Sequence, residues 1–116
     1  MATYIDQENI YIIKIDIEGA ELEVLKGVSS FMGTCRPFIV IEILPVYQQS
    51  NQSRLYRQTE IETLVEQRNY KILRVKKTAE NTFERFELIH TIGIHGDQNL
   101  CDYVLCPKER IQNLVG

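Results

Sequence analysis

Acidic side chains follow two apolar stretches of the sequence, where strands are expected to end. Asp16 and Glu18 come after a β-branched run that includes Ile15, and Glu42 lies near the end of the run that begins at Phe38. In open α/β sheets ligands bind beyond the carboxyl ends of parallel strands, and neighbouring strands lie about 4.8 Å apart. Asp16 and Glu42 are therefore expected to border one crevice.

Carboxylates at such a crevice support two kinds of chemistry. One carboxylate removes a proton from a hydroxyl group and aligns it for reaction. A pair of hard oxygen ligands instead holds a magnesium ion that orients a hydroxyl group. The structural alternatives are that Asp16 caps the following helix and that Glu18 and Glu21 favour its dipole. Gly19 would let the backbone turn tightly or approach a ligand.

Alternating strands and helices are expected to position these residues. The run before Asp16 reads as a strand buried on both faces, although Lys14 within it would be costly to bury without a partner. Thr59 to Glu62 matches a capping box that starts a helix, and the preceding polar segment, Gln48 to Arg57, reads as a loop. The predicted strands are about 9–15, 38–43, 70–75 and 102–106, and the predicted helices about 20–31, 59–68 and 110–115.

One segment, Thr78 to Leu100, is either a hairpin or an irregular insertion. The order of the remaining elements is the α/β pattern, in which the first strands lie parallel through right-handed crossovers.

Composition excludes several classes of protein. The 116 residues suffice for one domain, and the net charge of −3 gives no basic surface for nucleic acid. No apolar run approaches the roughly 20 residues of a membrane span. The three cysteines have no CxxC spacing, which favours reduced thiols. His90 and His95 do not have the spacing of metal ligands and are predicted to be exposed loop residues. These features predict a cytoplasmic protein with neither nucleic acid nor membrane as its partner.

Lys14-Ile15-Asp16-Ile17-Glu18-Gly19-Ala20-Glu21, continuing to Val24, Leu25 and Gly27, resembles the KIDxEGxE…VLxG signature of the FkbM-type methyltransferases. That family transfers a methyl group from S-adenosylmethionine. Arg36-Pro37 with the strand that leads to Glu42 resembles the family's next block, and Asp102 to Pro107 resembles its last strand.

The resemblance implies an α/β fold: the carboxyl-terminal half of a class I methyltransferase (Rossmann-like) sheet, mostly parallel with an antiparallel last strand. In that family a glycine-rich loop after the first strand holds the cofactor and an acid after the second binds the ribose. This sequence has no GxGxxG arrangement after a strand. Residues 1–116 are therefore expected to form a single partial domain lacking the amino-terminal cofactor-binding half, with weak binding of S-adenosylmethionine by this chain alone.

Two functions remain after these observations. The first is an S-adenosylmethionine-dependent methyltransferase, acting on a hydroxyl group of a small sugar or secondary metabolite, of which this chain is the acceptor-side half. Its catalytic candidates are Asp16, Glu18 and Glu42, with Gly19 as the cofactor-binding candidate, and magnesium stays an open possibility. The alternative is a non-catalytic α/β fragment that acts as an association module. Whether the chain alone is an enzyme stays open.

The strand of residues 9–15 is expected to lie at an edge of the sheet, because the resemblance places its neighbour in the absent half. Unpaired backbone groups on an apolar edge invite another chain to add a strand. We therefore expect self-association, or a protein partner, through this edge.

Overall fold

The computed structural model describes residues 2–7, 10–16, 19–46, 48, 50–97 and 100–115. The candidate Glu18 lies outside these ranges. The strands are β1 (Ala2–Gln7), β2 (Ile10–Ile15), β3 (Phe38–Glu42), β4 (Tyr70–Lys77), β5 (Phe83–Ile89) and β6 (Asp102–Pro107). The helices are α1 (Glu21–Gly27), α2 (Ser29–Cys35), α3 (Gln52–Gln67) and α4 (Gln112–Val115), with a short 3-10 turn at Lys108–Arg110 before α4.

The described strands form one mixed sheet in the order β1-β2-β3-β6-β4-β5. Only β2 and β3 pair in parallel, and the other neighbours are antiparallel. The α/β class is confirmed, but the expectation of a mostly parallel sheet is wrong. The last strand, β6, is antiparallel to both neighbours, as expected. The other two antiparallel pairs follow from connection length, because the β1/β2 and β4/β5 connections are too short for the crossover that parallel strands need.

Strand β1 pairs with β2 along its whole length, from Ala2 opposite Ile15 to Gln7 opposite Ile10. The expectation that the strand of residues 9–15 lies at the edge of the sheet is therefore wrong, because β2 has a neighbour on both sides. Residues Glu8 and Asn9 between the strands carry no glycine-containing hairpin signature in the sequence. Among the described strands the edges are β1 and β5.

The first face of the sheet carries the main core. Helices α1, α2 and α3 cover it, and their buried residues pack on the strands as one cluster: Ile13, Ile15, Leu22, Leu25, Met32, Ile39, Ile41, Ile43, Ile61, Val65, Tyr70, Ile72, Ile92, Tyr103 and Leu105. The second face holds a smaller cluster of Phe38, Leu73, Val104 and Cys106, on which Ile111 and Leu114 pack.

The strand β2 alternates between these two faces. Ile13 and Ile15 are buried on the first face, whereas Ile12 is half-buried and Lys14 is exposed. The expectation of burial on both faces is wrong, because little covers the second face beside Lys14. The cost of burying that ammonium group is thereby avoided.

The helix α3 begins earlier than the capping box indicated. Asn51 caps it, since its Oδ1 accepts a hydrogen bond from the Arg54 backbone N–H at 3.3 Å. Residues 52–57 are thus helical rather than loop. Thr59 lies inside the helix and donates to the Leu55 carbonyl oxygen, while the Glu62 carboxylate accepts from the Ile92 N–H at 2.7 Å. The hydroxyl and carboxylate of the presumed box therefore have other partners.

Helices α1 and α2 replace the single helix expected over residues 20–31, and the break falls at Val28. The segment 78–100 contains strand β5, which forms a hairpin with β4. Its hairpin alternative is confirmed for that part. Over the described ranges, no helix combines the length and apolarity that crossing a membrane requires.

Arg36 connects three parts of the fold. It ends α2 in the left-handed conformation, with φ of 53°. Its guanidinium donates to both carboxylate oxygens of Glu109 at 2.9 Å and to the backbone oxygens of Arg68 and Asn69. It also lies over the Tyr70 ring, 4.8 Å from the centroid. The Arg36-Pro37 block therefore includes a residue that holds the 3-10 turn at Lys108–Arg110 against the core.

Candidate functional site

Three acids lie at one end of the central strands. Asp16 follows β2, Glu42 ends β3, and Glu42 lies opposite Asp102 in the antiparallel register of β3 and β6. They line an open cleft with about 430 Å³ of empty space, here called the acidic cleft, together with Lys14, Ile15, Val40 and Ile41. The structure thus brings Asp16 and Glu42 to the same crevice. Carboxylates gathered there can accept protons or hold a cation.

Asp102 is an acid of the cleft that sequence reasoning missed as a site residue. Its Oδ2 lies 2.5 Å from the Lys77 ammonium nitrogen, and both side chains are partly exposed. The only sequence signal was an acid before an apolar strand. That signal predicts a position beside Glu42 only when β6 is known to run antiparallel to β3.

Asp16 is exposed and forms neither a hydrogen bond nor an ion pair with any residue that the structure describes. It does not cap α1. The residue at that helix start is Ala20, and no described side chain caps it. The capping alternative for Asp16 is wrong, so its carboxylate is available to a ligand in the acidic cleft.

Gly19 turns the chain between β2 and α1. Its φ is +82°, a conformation that other residues adopt only with strain, so the expected tight turn is confirmed. Its carbonyl oxygen accepts a hydrogen bond from the Arg57 guanidinium at 2.9 Å. No heavy atom of the described chain lies within 4 Å of a Cβ built at this position. Contact between Gly19 and a cofactor stays a prediction.

A second cleft lies on the helix-covered side of the same strand ends. This helix-side cleft is small and opens to solvent. It is lined by Gly19, Glu21, Ile43, Leu44, Arg54, Arg57, Gln58 and Ile61. From the sequence, the role predicted for Glu21 was a favourable interaction with the dipole of the following helix. The structure buries Glu21, which accepts a hydrogen bond from the Leu44 backbone N–H at 3.3 Å.

Arg57 joins α3 to α1 beside this cleft. Its two terminal nitrogens donate to the Glu23 carboxylate at 2.6 and 2.8 Å. These hydrogen bonds lower the pKa of Glu23 from 4.5 to about 2. Glu23 thus has a structural partner.

Gln58 and Arg54 complete the polar lining of the helix-side cleft. The Gln58 Nε2 donates to the Gly93 carbonyl oxygen at 2.8 Å, and its Oε1 is buried without a hydrogen-bond partner among the described residues. The Arg54 side chain, half-buried, has no hydrogen bond or ion pair within the described ranges. Neither residue carried a signal in the sequence, because Arg54 lies in the segment that reads as a loop and Gln58 lies between that segment and the presumed capping box.

The histidines differ in environment. His90 is exposed, as expected. His95 is half-buried, and its Nδ1 accepts a hydrogen bond from the Asp97 backbone N–H at 3.2 Å. Burial lowers the pKa of His95, and the nearby Arg74 charge adds to this. The expectation of an exposed His95 is wrong because the loop of residues 91–97 folds back on the sheet end, with the His95 N–H bonded to Val46.

The residues of the acidic cleft fit only part of S-adenosylmethionine. Carboxylates suit its positively charged sulfonium end. The described residues contain no glycine-rich turn after a strand that would hold its nucleoside. They also contain no group of three histidine, cysteine, aspartate or glutamate side chains placed to hold a metal ion.

Comparison with known protein families identifies a match. The family model described as the methyltransferase FkbM domain matches residues 1–72, a range that contains β1, β2, β3 and the first three helices. No curated protein sequence and no solved structure matches the chain.

Proposed function

Because the chain belongs to the methyltransferase FkbM family, we propose that it serves in the transfer of a methyl group from S-adenosylmethionine to a hydroxyl oxygen of a sugar or secondary metabolite. The observation that carries the proposal is the acidic cleft. Asp16 and Glu42, both within the matched residues 1–72, lie together at the carboxyl ends of the parallel pair of strands. Ligand sites of α/β sheets occur at such ends.

In this proposal Asp16 is the general base. Its exposed carboxylate has no partner among the described residues, so it is open to an acceptor hydroxyl group. S-adenosylmethionine would supply the methyl group as an electrophile: its sulfur–methyl bond would break as the oxygen–methyl bond forms, and S-adenosylhomocysteine would leave. As the acceptor oxygen gains the methyl group, its proton passes to a carboxylate oxygen of Asp16.

The neighbouring acids have different roles. Glu42 lies in the same cleft and orients the acceptor hydroxyl group toward Asp16. Asp102 is paired with Lys77, so its charge is balanced and it takes no proton in this scheme. Glu18, outside the described residues, stays a candidate from the sequence alone.

We further propose that residues 1–116 form the acceptor-side half of a Rossmann-like methyltransferase domain, and that other residues hold the nucleoside of the cofactor. The absence of a GxGxxG arrangement after any strand in this sequence supports that division. Calorimetric titration of the purified chain with S-adenosylmethionine is expected to give no measurable heat of binding. Binding of S-adenosylmethionine to the purified chain with micromolar affinity would contradict this proposed division of the domain.

The experiment that tests the proposed function compares Asp16→Asn with a matched control in the full gene product. Turnover of the methyl acceptor should fall by about 10²- to 10⁴-fold, which is typical for loss of a general base. Unfolding midpoints should stay close to the wild-type value, since Asp16 is exposed. The control is Glu66→Gln, which removes an exposed charge from α3 and should preserve turnover.

Near-normal turnover of Asp16→Asn would exclude Asp16 as the base. A gene product that transfers no methyl group to any hydroxyl acceptor would favour the association module instead. We propose the cytoplasm as the compartment, which the free thiols of Cys35, Cys101 and Cys106 support.

A further inference from the structure

The helix-side cleft contains an acceptor that no described group uses. The bond from Gln58 Nε2 to the Gly93 carbonyl oxygen fixes the orientation of the side-chain amide, because a carbonyl oxygen cannot donate. Gln58 is 4% exposed, and its Oε1 is left buried without a donor from the described residues. A buried unpaired acceptor is unfavourable. A ligand that donates a hydrogen bond to Oε1 would remove that cost.

Glu21 supplies a second acceptor in the same cleft. Its side chain is 5% exposed, and one carboxylate oxygen accepts from the Leu44 N–H at 3.3 Å. A carboxylate has about four acceptor sites, so capacity remains for a ligand. Ile43 and Ile61 provide apolar lining beside these acceptors. Hydroxyl donors next to an apolar C–H surface are the chemical pattern of a sugar ring.

Arg54 adds a positive charge that has no partner within the described ranges. The other arginine of the cleft, Arg57, is already bound to the Glu23 carboxylate and to the Gly19 carbonyl oxygen. A guanidinium group presents a fork of donors that matches a carboxylate or a phosphate. The ligand that completes this cleft therefore carries an anionic group as well as hydroxyl groups.

We propose that the helix-side cleft binds the methyl acceptor, and that this acceptor is an anionic sugar whose acidic group pairs with Arg54. This inference rests on the proposed function for the identity of the ligand as the methyl acceptor. Gly19 and Ile43 of the cleft follow Asp16 and Glu42 by three residues and one residue in the sequence. The helix-side cleft therefore opens at the ends of the same strands as the acidic cleft, on the opposite face of the sheet. In this proposal the sugar extends past those strand ends so that one of its hydroxyl groups reaches Asp16.

Nuclear magnetic resonance titration of the purified chain tests the proposal without any cofactor. Glucuronate, glucose 6-phosphate and glucose are added separately, and the amide signals of Leu44 and Gly93 and the side-chain amide of Gln58 are followed. At least one anionic sugar should bind about tenfold tighter than glucose, the effect of one charge-assisted hydrogen bond. Tighter binding of glucuronate identifies a carboxylate as the acidic group, and tighter binding of glucose 6-phosphate identifies a phosphate.

Variants separate this site from general binding. Arg54→Ala should reduce the affinity for the anionic sugar about tenfold, to a value close to that for glucose. Arg85→Ala, which removes an exposed arginine from β5, is the matched control and should keep the preference. Gln58→Leu should weaken the binding of all three sugars. If that variant does not fold, the shift of the Gln58 side-chain amide in the wild-type titration decides its role.

Equal affinity for glucose and both anionic sugars would overturn the proposal. So would binding that leaves the signals of Leu44, Gly93 and Gln58 unchanged, or an Arg54→Ala variant with unaltered affinities. If an anionic sugar binds as described but the gene product transfers no methyl group, the proposed function fails and the sugar site stands. If methyl groups are transferred only to acceptors that do not compete with glucuronate or glucose 6-phosphate, this inference fails and the proposed function stands.

Discussion

Glu42 and Asp102 lie opposite each other on adjacent antiparallel strands, and Lys77 binds the Asp102 carboxylate. Like charges directly opposite in a sheet are destabilising. The ammonium group of Lys77 therefore balances one member of a repulsive pair and stabilises the end of the sheet where the acidic cleft lies.

Replacing Lys77 with methionine should lower the free energy of unfolding by about 1 kcal/mol, because a partly exposed ion pair is lost and the carboxylate repulsion is no longer balanced. Urea denaturation near neutral pH measures the change. Adding Asp102→Asn to Lys77→Met should restore most of the loss. A double variant no more stable than Lys77→Met would show that the unbalanced charge of Asp102 does not cause the loss.

Gly19→Ala should destabilise the fold by about 1–2 kcal/mol, since a side chain is strained at a φ of +82° although space around it is open. Gly27→Ala is the matched control. Gly27 ends α1 without a positive φ, and no described heavy atom lies within 4 Å of its added Cβ. The control should be neutral or stabilising by up to about 1 kcal/mol. Equal effects in urea denaturation would contradict the backbone argument.

Stability should fall as the solution is acidified from the ordinary carboxyl range toward pH 2. Hydrogen bonds from Arg57 and Arg36 hold the pKa of Glu23 and of Glu109 at about 2, below the ordinary 4.5. Lowered pKa values in the folded state mean that protonation favours the unfolded chain. The stabilisation is present above about pH 4.5 and is lost as the pH falls through about 2.

Chemical shift titration of the two carboxyl carbons measures these pKa values directly. In Arg57→Ala the pKa of Glu23 should rise toward 4.5 while that of Glu109 stays low. The reverse should hold in Arg36→Ala if that variant folds. A pKa of Glu23 that is unchanged in Arg57→Ala would contradict the assigned cause.

Removing residues 1–8 should make the chain associate. The deletion takes away β1 and leaves β2 as an edge strand with unpaired backbone groups. Sedimentation over a concentration series should show a larger average mass for the truncated chain than for the intact chain at each concentration. Identical masses would mean that β1 does not protect the edge.

The features of the fold that could be predicted from the sequence are those set by the pattern of neighbouring residues. The apolar runs before Asp16 and before the end of β3 located two strands, and the parallel relation of β2 and β3 followed from the helical segment between them. The meeting of Asp16 and Glu42 at one cleft followed in turn, because it required only strand ends and strand spacing.

The remaining features depend on contacts between distant residues. No local signal shows that β6 inserts between β3 and β4, so the place of Asp102 beside Glu42 was missed. The places of Arg54 and Gln58 in the helix-side cleft could not be predicted either. The helix α3 was expected to start after both residues, and the Gln58 side chain donates to a backbone oxygen 35 residues away.

The acids of the acidic cleft come from parts of the chain that are far apart in sequence. Asp16 and Glu42 are separated by 26 positions, and Glu42 and Asp102 by 60. Their mutual repulsion therefore arises on folding and is nearly absent from the unfolded chain. Dissolved salt weakens repulsion between exposed charges. Salt should consequently change the stability of this end of the sheet less than that of the Arg57–Glu23 pair joining α1 and α3, because at the sheet end it weakens both the repulsion between acids and the attraction of Lys77 for Asp102.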